Sequence, residues 1–278
     1  KKDGRFEIIC FRNSFHGRTL GSLSATGQDV YKKGFAPLMP GFKFADFNDI
    51  ASVKKLITGK TAAIMLEPIQ GEAGVYPATR EFMAGLDALR KKHGLELIFD
   101  EVQCGLGRTG RWFAYQSYNV KPDVVTMAKS IGAGLPLGAM MARGAVTAGF
   151  EPGSHASTFG AGPVACTAAL AFMDEVEKKD LLANVKRKGD YIVSQLKSLR
   201  AKYPEIVEVR GKGLMIGVEV DADARKAAAF FLENGMIVNA IRQNIIRILP
   251  PYIIDEKHAG RFVSLLKAFF DKAREEAK

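Results

Sequence analysis

Short apolar runs alternate with longer helical patterns along the first half of the chain. The runs Phe6–Phe11, Ala62–Leu66, Leu95–Phe99, Val124–Met127 and Leu137–Ala142 are brief and rich in apolar residues, and they predict strands. Between them, Asn48–Ile57 and Thr79–His93 predict helices. The second opens at a Thr cap, places Phe82, Leu86 and Leu89 on one face, and stops at Gly94. Strands separated by helices of this length predict a mostly parallel sheet covered on both faces, an α/β architecture. In such sheets chemistry collects in the loops at the carboxyl ends of the strands.

The pattern changes after about residue 165. Two helical stretches, roughly 163–178 and 181–202, lead into Ile206–Arg210 and Leu214–Val220, which predict a hairpin around Gly211-Lys212-Gly213. A helix near 223–234 and strands at Met236–Val238 and Ile245–Leu249 follow. The last segment sets Phe262, Leu265, Leu266, Phe269 and Phe270 at helical spacing, an amphipathic helix. The expected organisation is a partial large domain over residues 1–165 and a smaller α+β domain over 166–278.

Composition narrows the function classes. Hydrophobic residues make up 47% and charged residues 25% of the 278 residues, a globular profile. No run approaches the roughly 18 apolar residues of a membrane span, and Lys1-Lys2-Asp3-Gly4-Arg5 lacks the apolar stretch of a secretory leader. Cys10, Cys104 and Cys166 are odd in number and far apart, which fits neither a disulfide framework nor a zinc site. A reducing, cytoplasmic setting is expected, without a metal. The formal charge of +10 comes partly from groups such as Lys186-Arg187-Lys188, which read as solvated helix faces. No nucleic-acid motif accompanies them, so neither a nucleic-acid nor a membrane partner is expected. A positive field suits anionic small molecules instead.

Two glycine motifs mislead. Gly105-Leu-Gly-Arg-Thr-Gly110 follows a strand, but the bulky Arg111-Trp112-Phe113 comes next and Asp123 arrives too early for a ribose contact. Gly59-Lys60-Thr61 lacks the upstream glycine of a P-loop. More informative is Asp100-Glu101 directly after the apolar run Leu97–Phe99. A buried unpaired carboxylate is costly, yet at a strand's carboxyl end it can face a cationic ligand. The next strand ends at Ala128-Lys129-Ser130, so a lysine leaves the same edge. Such a lysine can serve as an amine nucleophile, or Asp100 and Lys129 can form an ion pair that ties two strands.

Seven motifs stand together: Phe15-His16-Gly17-Arg18-Thr19, Glu67-Pro-Ile-Gln-Gly-Glu72, Phe99-Asp-Glu-Val-Gln-Cys-Gly-Leu-Gly-Arg-Thr-Gly110, Ala128-Lys129, His155-Ala-Ser-Thr158-Phe-Gly160, Arg210-Gly-Lys-Gly-Leu214 and Arg247-Ile-Leu-Pro-Pro251. In that order they resemble the class III, or ω-type, aminotransferases of the aspartate aminotransferase fold, known as fold type I. Among the branches, the Phe-His-Gly-Arg and Asp-Glu-Val-Gln-Cys-Gly runs look most like acetylornithine aminotransferases. The Gln-Gly-Glu-Ala-Gly and Pro-Gly-Phe runs are also similar to ornithine aminotransferases.

The resemblance implies pyridoxal 5'-phosphate as cofactor, with Lys129 carrying it as a Schiff base and moving the substrate's proton. It implies that Asp100 pairs with the pyridinium nitrogen, which keeps the ring an electron acceptor. Gln103 would contact the phenolic oxygen, Val102 and Phe15 would flank the ring, and Thr158 would donate to the phosphate across a homodimer interface. Arg18 would hold the carboxylate far from the reacting amine. Arg247 would pair with Glu72 while an ω-amino substrate is bound and be released to hold glutamate's α-carboxylate.

The implied reaction moves the ω-amino group of N-acetylornithine, or a similar ω-amino acid, to 2-oxoglutarate. Its products are the semialdehyde and glutamate, as in arginine biosynthesis. Ornithine and 4-aminobutyrate are alternative donors, and a truncated non-catalytic domain of the fold is the alternative to an enzyme. Members of the family begin well upstream of this chain, by a segment on the order of a hundred residues, about a small domain. That segment would hold an N-terminal arm and a Gly-Thr/Ser-rich phosphate loop. The chain also departs from the family in Gly160-Ala161-Gly162-Pro163, where Gly-Gly-Asn-Pro is favoured, and in Gly132-Ala133-Gly134, where a glycine triplet is usual.

Overall fold

A computed structural model describes residues 4–276, so Lys1-Lys2-Asp3 of the run read as lacking a leader lies outside it. The chain forms two compact units. The first comprises the chain up to Gly71, Ala78–Leu106 and Phe113–Glu175. The second comprises Glu72–Pro77, Gly107–Trp112 and the chain from Val176 onward. Two short segments from the first half of the sequence therefore belong to the second unit. Among the described residues, no helix is long and apolar enough to cross a membrane.

The first unit is built on six strands: β1 (Glu7–Phe11), β2 (Phe42–Ala45), β3 (Thr61–Leu66), β4 (Glu96–Asp100), β5 (Val124–Met127) and β6 (Ala139–Ala142). Their order is β2-β1-β3-β4-β5-β6. Every neighbouring pair is parallel except β5 with β6. The sheet is thus mostly parallel, as the alternation of strand and helix patterns predicts. β2 is an addition: the four residues Phe-Lys-Phe-Ala are too short to stand out in the sequence, and they become a strand only by pairing along β1.

Helices α1 (Ile50–Leu56) and α2 (Arg80–His93) belong to this unit. At the start of α2, Thr79 Oγ1 accepts from Phe82 N at 3.1 Å, satisfying one of the first-turn N–H groups. At its end Gly94 takes the left-handed conformation, φ +61°, and donates back to Arg90 O. The buried face carries Phe82, Met83, Leu86 and Leu89, which join Ile9, Phe11, Ile64, Leu66, Leu97 and Phe99 in one core. Burying each large apolar side chain contributes about 1.5–3 kcal/mol. That core holds β1, β3 and β4 in register, and the register sets where their carboxyl ends emerge.

Helix α3 (Pro163–Lys178) leads to the second unit, where α4 (Leu181–Arg200) precedes β7 (Ile206–Lys212) and β8 (Met215–Val220). After them come α5 (Ala224–Glu233), β9 (Asn239–Ile241), β10 (Ile245–Ile248) and α6 (Glu256–Glu276). The four strands form an antiparallel sheet in the order β9-β10-β8-β7. The hairpin β7–β8 lies where the sequence predicts it. The strand expected at Met236–Val238 is displaced to Asn239–Ile241. Gly235, at φ +70°, ends the helical segment, Met236 N donates back to Phe231 O, and ladder pairing begins only where Asn239 meets Arg247.

Candidate active site

The carboxyl end of β4 separates the two acidic neighbours. Asp100 is buried, and its Oδ1 accepts from Val102 N at 3.1 Å while its Oδ2 lies 2.7 Å from His16 Nδ1. Glu101 turns away from this contact. Its Oε1 accepts from Tyr115 N at 2.8 Å and its Oε2 from Ala114 N at 2.9 Å, with the Cys104 thiol donating at 3.2 Å. Glu101 thereby closes the 3-10 turn Ala114–Ser117 onto the strand end. Burial pushes its pKa up to about 7, against the pull of these donors. The apparent acidic pair is one site carboxylate and one structural carboxylate.

Lys129 follows the end of the neighbouring strand, β5. β4 and β5 run parallel with Asp100 opposite Thr126, and Glu101 N donates to Thr126 O at 2.9 Å. The chain leaves β5 at Met127, and Lys129 opens a 3-10 turn with φ +49°. A non-glycine residue in this left-handed region is strained by on the order of 1 kcal/mol or more. The side chain is exposed, and among the described residues Lys129 makes no ion pair. The Asp–Lys tie between strands is not formed, because His16 and the backbone of Val102 are the partners of Asp100.

Three further segments of the first unit meet at this edge. Glu67, just after β3, accepts from Phe15 N at 3.0 Å and Gly71 N at 3.3 Å. Its pKa rises to about 7, chiefly through burial; His16 opposes the rise and the charge of Asp100 adds to it. The His16 side chain is fully buried, and its backbone N donates to Thr26 Oγ1 at 2.9 Å. Gly71 lies under Gln103, since a Cβ there would stand 1.9 Å from Gln103 Oε1. Phe15 packs edge-on against Tyr31 at 5.3 Å, and the Arg18 guanidinium lies 4.5 Å from the centre of the Tyr31 ring.

Phe15, Asp100, Val102, Gln103 and Lys129 therefore share one strand-end region, with Arg18 on its aromatic flank. Thr158 does not join them. It lies in the exposed segment 151–161 and makes no hydrogen bond among the described residues. His16 and Glu67 carry geometry that the sequence reading assigned to neither. Their signals were a histidine inside an otherwise assigned motif and a glutamate at the end of β3, in the position Asp100 takes on β4.

The second unit holds the other expected pair. Arg247 Nη1 donates to Glu72 Oε1 at 2.6 Å, and Arg247 Nη2 donates to Asn239 Oδ1 at 2.9 Å. The arginine side chain is 11% exposed and the glutamate 27%, so this is a partly buried pair and not a solvated surface bridge. The same unit contains an apolar cavity of about 610 Å³ whose polar lining is Asn239, Arg247 and His258. That lining includes no carboxylate or amine of the kind found at the ends of β4 and β5.

A parallel sheet with a lysine and a supported carboxylate at one edge defines a class, and similarity to known proteins agrees with it. The family described as aminotransferase class-III matches residues 1–270. The chain belongs to the class-III aminotransferase family. It is 46% identical over 267 residues to acetylornithine aminotransferase of Aquifex aeolicus (strain VF5), covering 96% of this chain and 69% of that protein. It is 43% identical to acetylornithine aminotransferase of Methanocaldococcus jannaschii, covering 96% and 67%. The crystal structure of ornithine aminotransferase from Toxoplasma gondii ME49 superposes with a TM-score of 0.92 at 32% identity, covering 99% of this chain and 67% of that one. An amine transaminase from an uncultivated Pseudomonas species, solved in its PLP-bound form, gives 0.89 at 31% identity, covering 97% and 70%.

Proposed function

We propose that this chain is the catalytic portion of a pyridoxal-phosphate transaminase that moves the ω-amino group of N-acetylornithine to 2-oxoglutarate. The observation that carries the reading is the shared strand edge, where Lys129 leaves β5 beside the supported carboxylate of Asp100 on β4. The choice of donor rests on the acetylornithine aminotransferases at 43–46% identity. Ornithine is the second donor to test, given the likeness to the Toxoplasma gondii enzyme.

The residues present suit the cofactor. Pyridoxal phosphate, when bound, supplies an electron sink that makes the substrate's carbon–hydrogen bond acidic. Asp100 is buried, and a carboxylate has lone pairs beyond the two engaged by His16 Nδ1 and Val102 N. It can accept from a cationic ring N–H, and low local dielectric strengthens that contact. Lys129 Nζ would hold the cofactor and would carry the proton at the reacting carbon. Val102 and Phe15 would hold the ring between them, Gln103 would donate to its phenolic oxygen, and Thr158 would donate to the phosphate from the second subunit of a homodimer. Arg18 and Arg247 hold substrate carboxylates, Arg247 exchanging Glu72 for the α-carboxylate of glutamate.

The test is spectroscopic first. Titration with pyridoxal phosphate is expected to give a visible band that borohydride fixes and that Lys129→Ala lacks. Lys129→Ala should also lower transamination by about 10³-fold or more, since it removes both nucleophile and proton carrier. A panel of N-acetylornithine, ornithine and 4-aminobutyrate with 2-oxoglutarate then ranks the donors. Retention of the band in Lys129→Ala would sink the assignment, and equal rates on 4-aminobutyrate and N-acetylornithine would undo the role of Arg18.

A further inference from the structure

The four-stranded sheet of the second unit places two arginines in one cross-strand row. Asn239 on β9 opposes Arg247 on β10, Arg247 opposes Gly217 on β8, and Gly217 opposes Arg210 on β7. Directly opposed residues of an antiparallel sheet point to the same face. The row on that face therefore reads Asn, Arg, Gly, Arg.

The segment Glu72–Tyr76 lies across this row. Glu72 pairs with Arg247 at one end, as described above. In the middle the backbone rests on Gly217, where a Cβ would stand 2.9 Å from Gly74 O and 3.0 Å from Val75 Cβ. At the other end Arg210 Nε donates to Gly74 O at 2.9 Å, and its guanidinium covers the Tyr76 ring at 3.9 Å. Tyr76 Oη donates to Glu219 Oε2 at 3.4 Å.

The two arginines differ in how they are held. Arg247 donates to the carboxylate of Glu72 and to the neutral amide of Asn239. Arg210 Nη1 donates at 2.7 Å to both Glu208 Oε2 and Glu219 Oε2, while Nε holds the Gly74 carbonyl and the ring of Tyr76 covers one face. Its side chain is 6% exposed. Releasing Arg210 would strand a buried cation and leave the partly buried Glu219 without it, whereas Arg247 can trade one carboxylate for another. Lysine could answer Glu208 and Glu219, but its single ammonium could not also donate to Gly74 O while lying flat on Tyr76.

We infer that Arg210 is a positioning residue: it pins Glu72–Tyr76 to the sheet so that Glu72 stays in reach of Arg247 each time that arginine is released. The inference rests on the proposed exchange of Arg247 between Glu72 and a substrate carboxylate. Arg210 touches no substrate; it acts through Glu72.

The test combines hydrogen–deuterium exchange with half-reaction kinetics on the protein and on Arg210→Met, Arg210→Lys, Tyr76→Leu and Glu72→Gln. In Arg210→Met, amides 71–78 are expected to exchange about tenfold faster, with amides 96–100 of β4 unchanged as the internal reference. Arg210→Lys should fall between the two, and Tyr76→Leu should act in the same direction. The ratio of kcat/KM for the ω-amino donor to that for 2-oxoglutarate should shift about tenfold in Glu72→Gln. Arg210→Met should shift it the same way, and the double variant no further.

Unchanged exchange at 71–78 in Arg210→Met, or an equal loss in both half-reactions, overturns the inference. If Arg210→Met does not fold, Arg210→Lys and Tyr76→Leu carry the same comparison. If Glu72→Gln leaves the ratio untouched, the exchange of Arg247 fails as a mechanism, while the amide data still decide whether Arg210 pins the segment.

Discussion

In the six-stranded sheet the charged groups stand where strands end; in the four-stranded sheet they stand in the middle of one face. At the ends of β3 and β4, Glu67, Asp100 and Glu101 are buried and held largely by backbone N–H donors. Across β7, β8 and β10, Arg210 and Arg247 are held by carboxylates of other side chains. Backbone donors cannot leave, so the first arrangement fixes a carboxyl group in place. Side-chain partners can be exchanged, so the second can contain both a fixed arginine and a releasable one. The proposed exchange of Arg247 between Glu72 and a substrate carboxylate needs the second arrangement.

Asp100→Asn gives the largest expected effect within this comparison. The variant keeps shape and volume but removes the negative charge that His16 and Val102 N support. Single-turnover rates should fall by about 10²- to 10³-fold for the amino donor and for the oxo acceptor alike, because the loss lies in chemistry common to both. Glu72→Gln, by contrast, should change mainly their ratio. If Asp100→Asn altered only the ratio, the strand-end carboxylate would be acting as an exchangeable partner and the contrast between the sheets would collapse.

The sequence made part of this contrast legible. Asp100 and Lys129 could be placed at one sheet edge because each follows an apolar strand run, and parallel strands bring such ends together. The support of Asp100 by His16 was not legible, since the two are 84 positions apart and nothing in the spacing pairs them. Nor could the run Asp100-Glu101 tell which acid faces the site; that depends on where Ala114 and Tyr115 present their N–H groups. The row of Arg210, Gly217 and Arg247 depends on register across three strands, which a one-residue slip would rearrange. β2 escaped and β9 was misplaced for a related reason. Both are very short, and their identity comes from the ladder they join.

Glu101 sharpens the comparison through pH. Its folded pKa of about 7 lies above the ordinary 4.5, so the folded state holds a proton that the unfolded chain releases between those values. Its contribution to stability is fully present below about pH 4.5 and is lost as pH rises through 7, by on the order of 3 kcal/mol. Glu101→Gln carries no titrating proton, so the melting temperature of the parent relative to this variant should decline from pH 5 to pH 8. The variant should be the less stable at pH 5, where an amide nitrogen would face Ala114 N or Tyr115 N, both donors. A parent-to-variant difference that stayed flat with pH would show that Glu101 is not titrating in the folded protein.

The smallest expected effect separates two glycines that look alike in sequence. Gly217 faces backbone, so an alanine there must push Gly74 and Val75 off the sheet. Gly71 faces the far end of a flexible side chain, Gln103, and its φ lies outside the left-handed region. In Gly71→Ala, Gln103 can swing away at low cost, and the reduced freedom of the unfolded chain offsets about 0.4–1 kcal/mol. The melting temperature of Gly71→Ala should therefore stay within a few degrees of the parent. Its affinity for pyridoxal phosphate should fall severalfold, to at most about tenfold, roughly the worth of one hydrogen bond. Gln103→Ala should reproduce that loss, and Gly71→Ala added to it should cost nothing more. An additive loss would mean that Gly71 acts through the turn at Glu67 and not through Gln103, since Glu67 Oε1 also accepts from Gly71 N. Either outcome ties the strand-end region to a defined donor, which the exchangeable pair in the other sheet does not require.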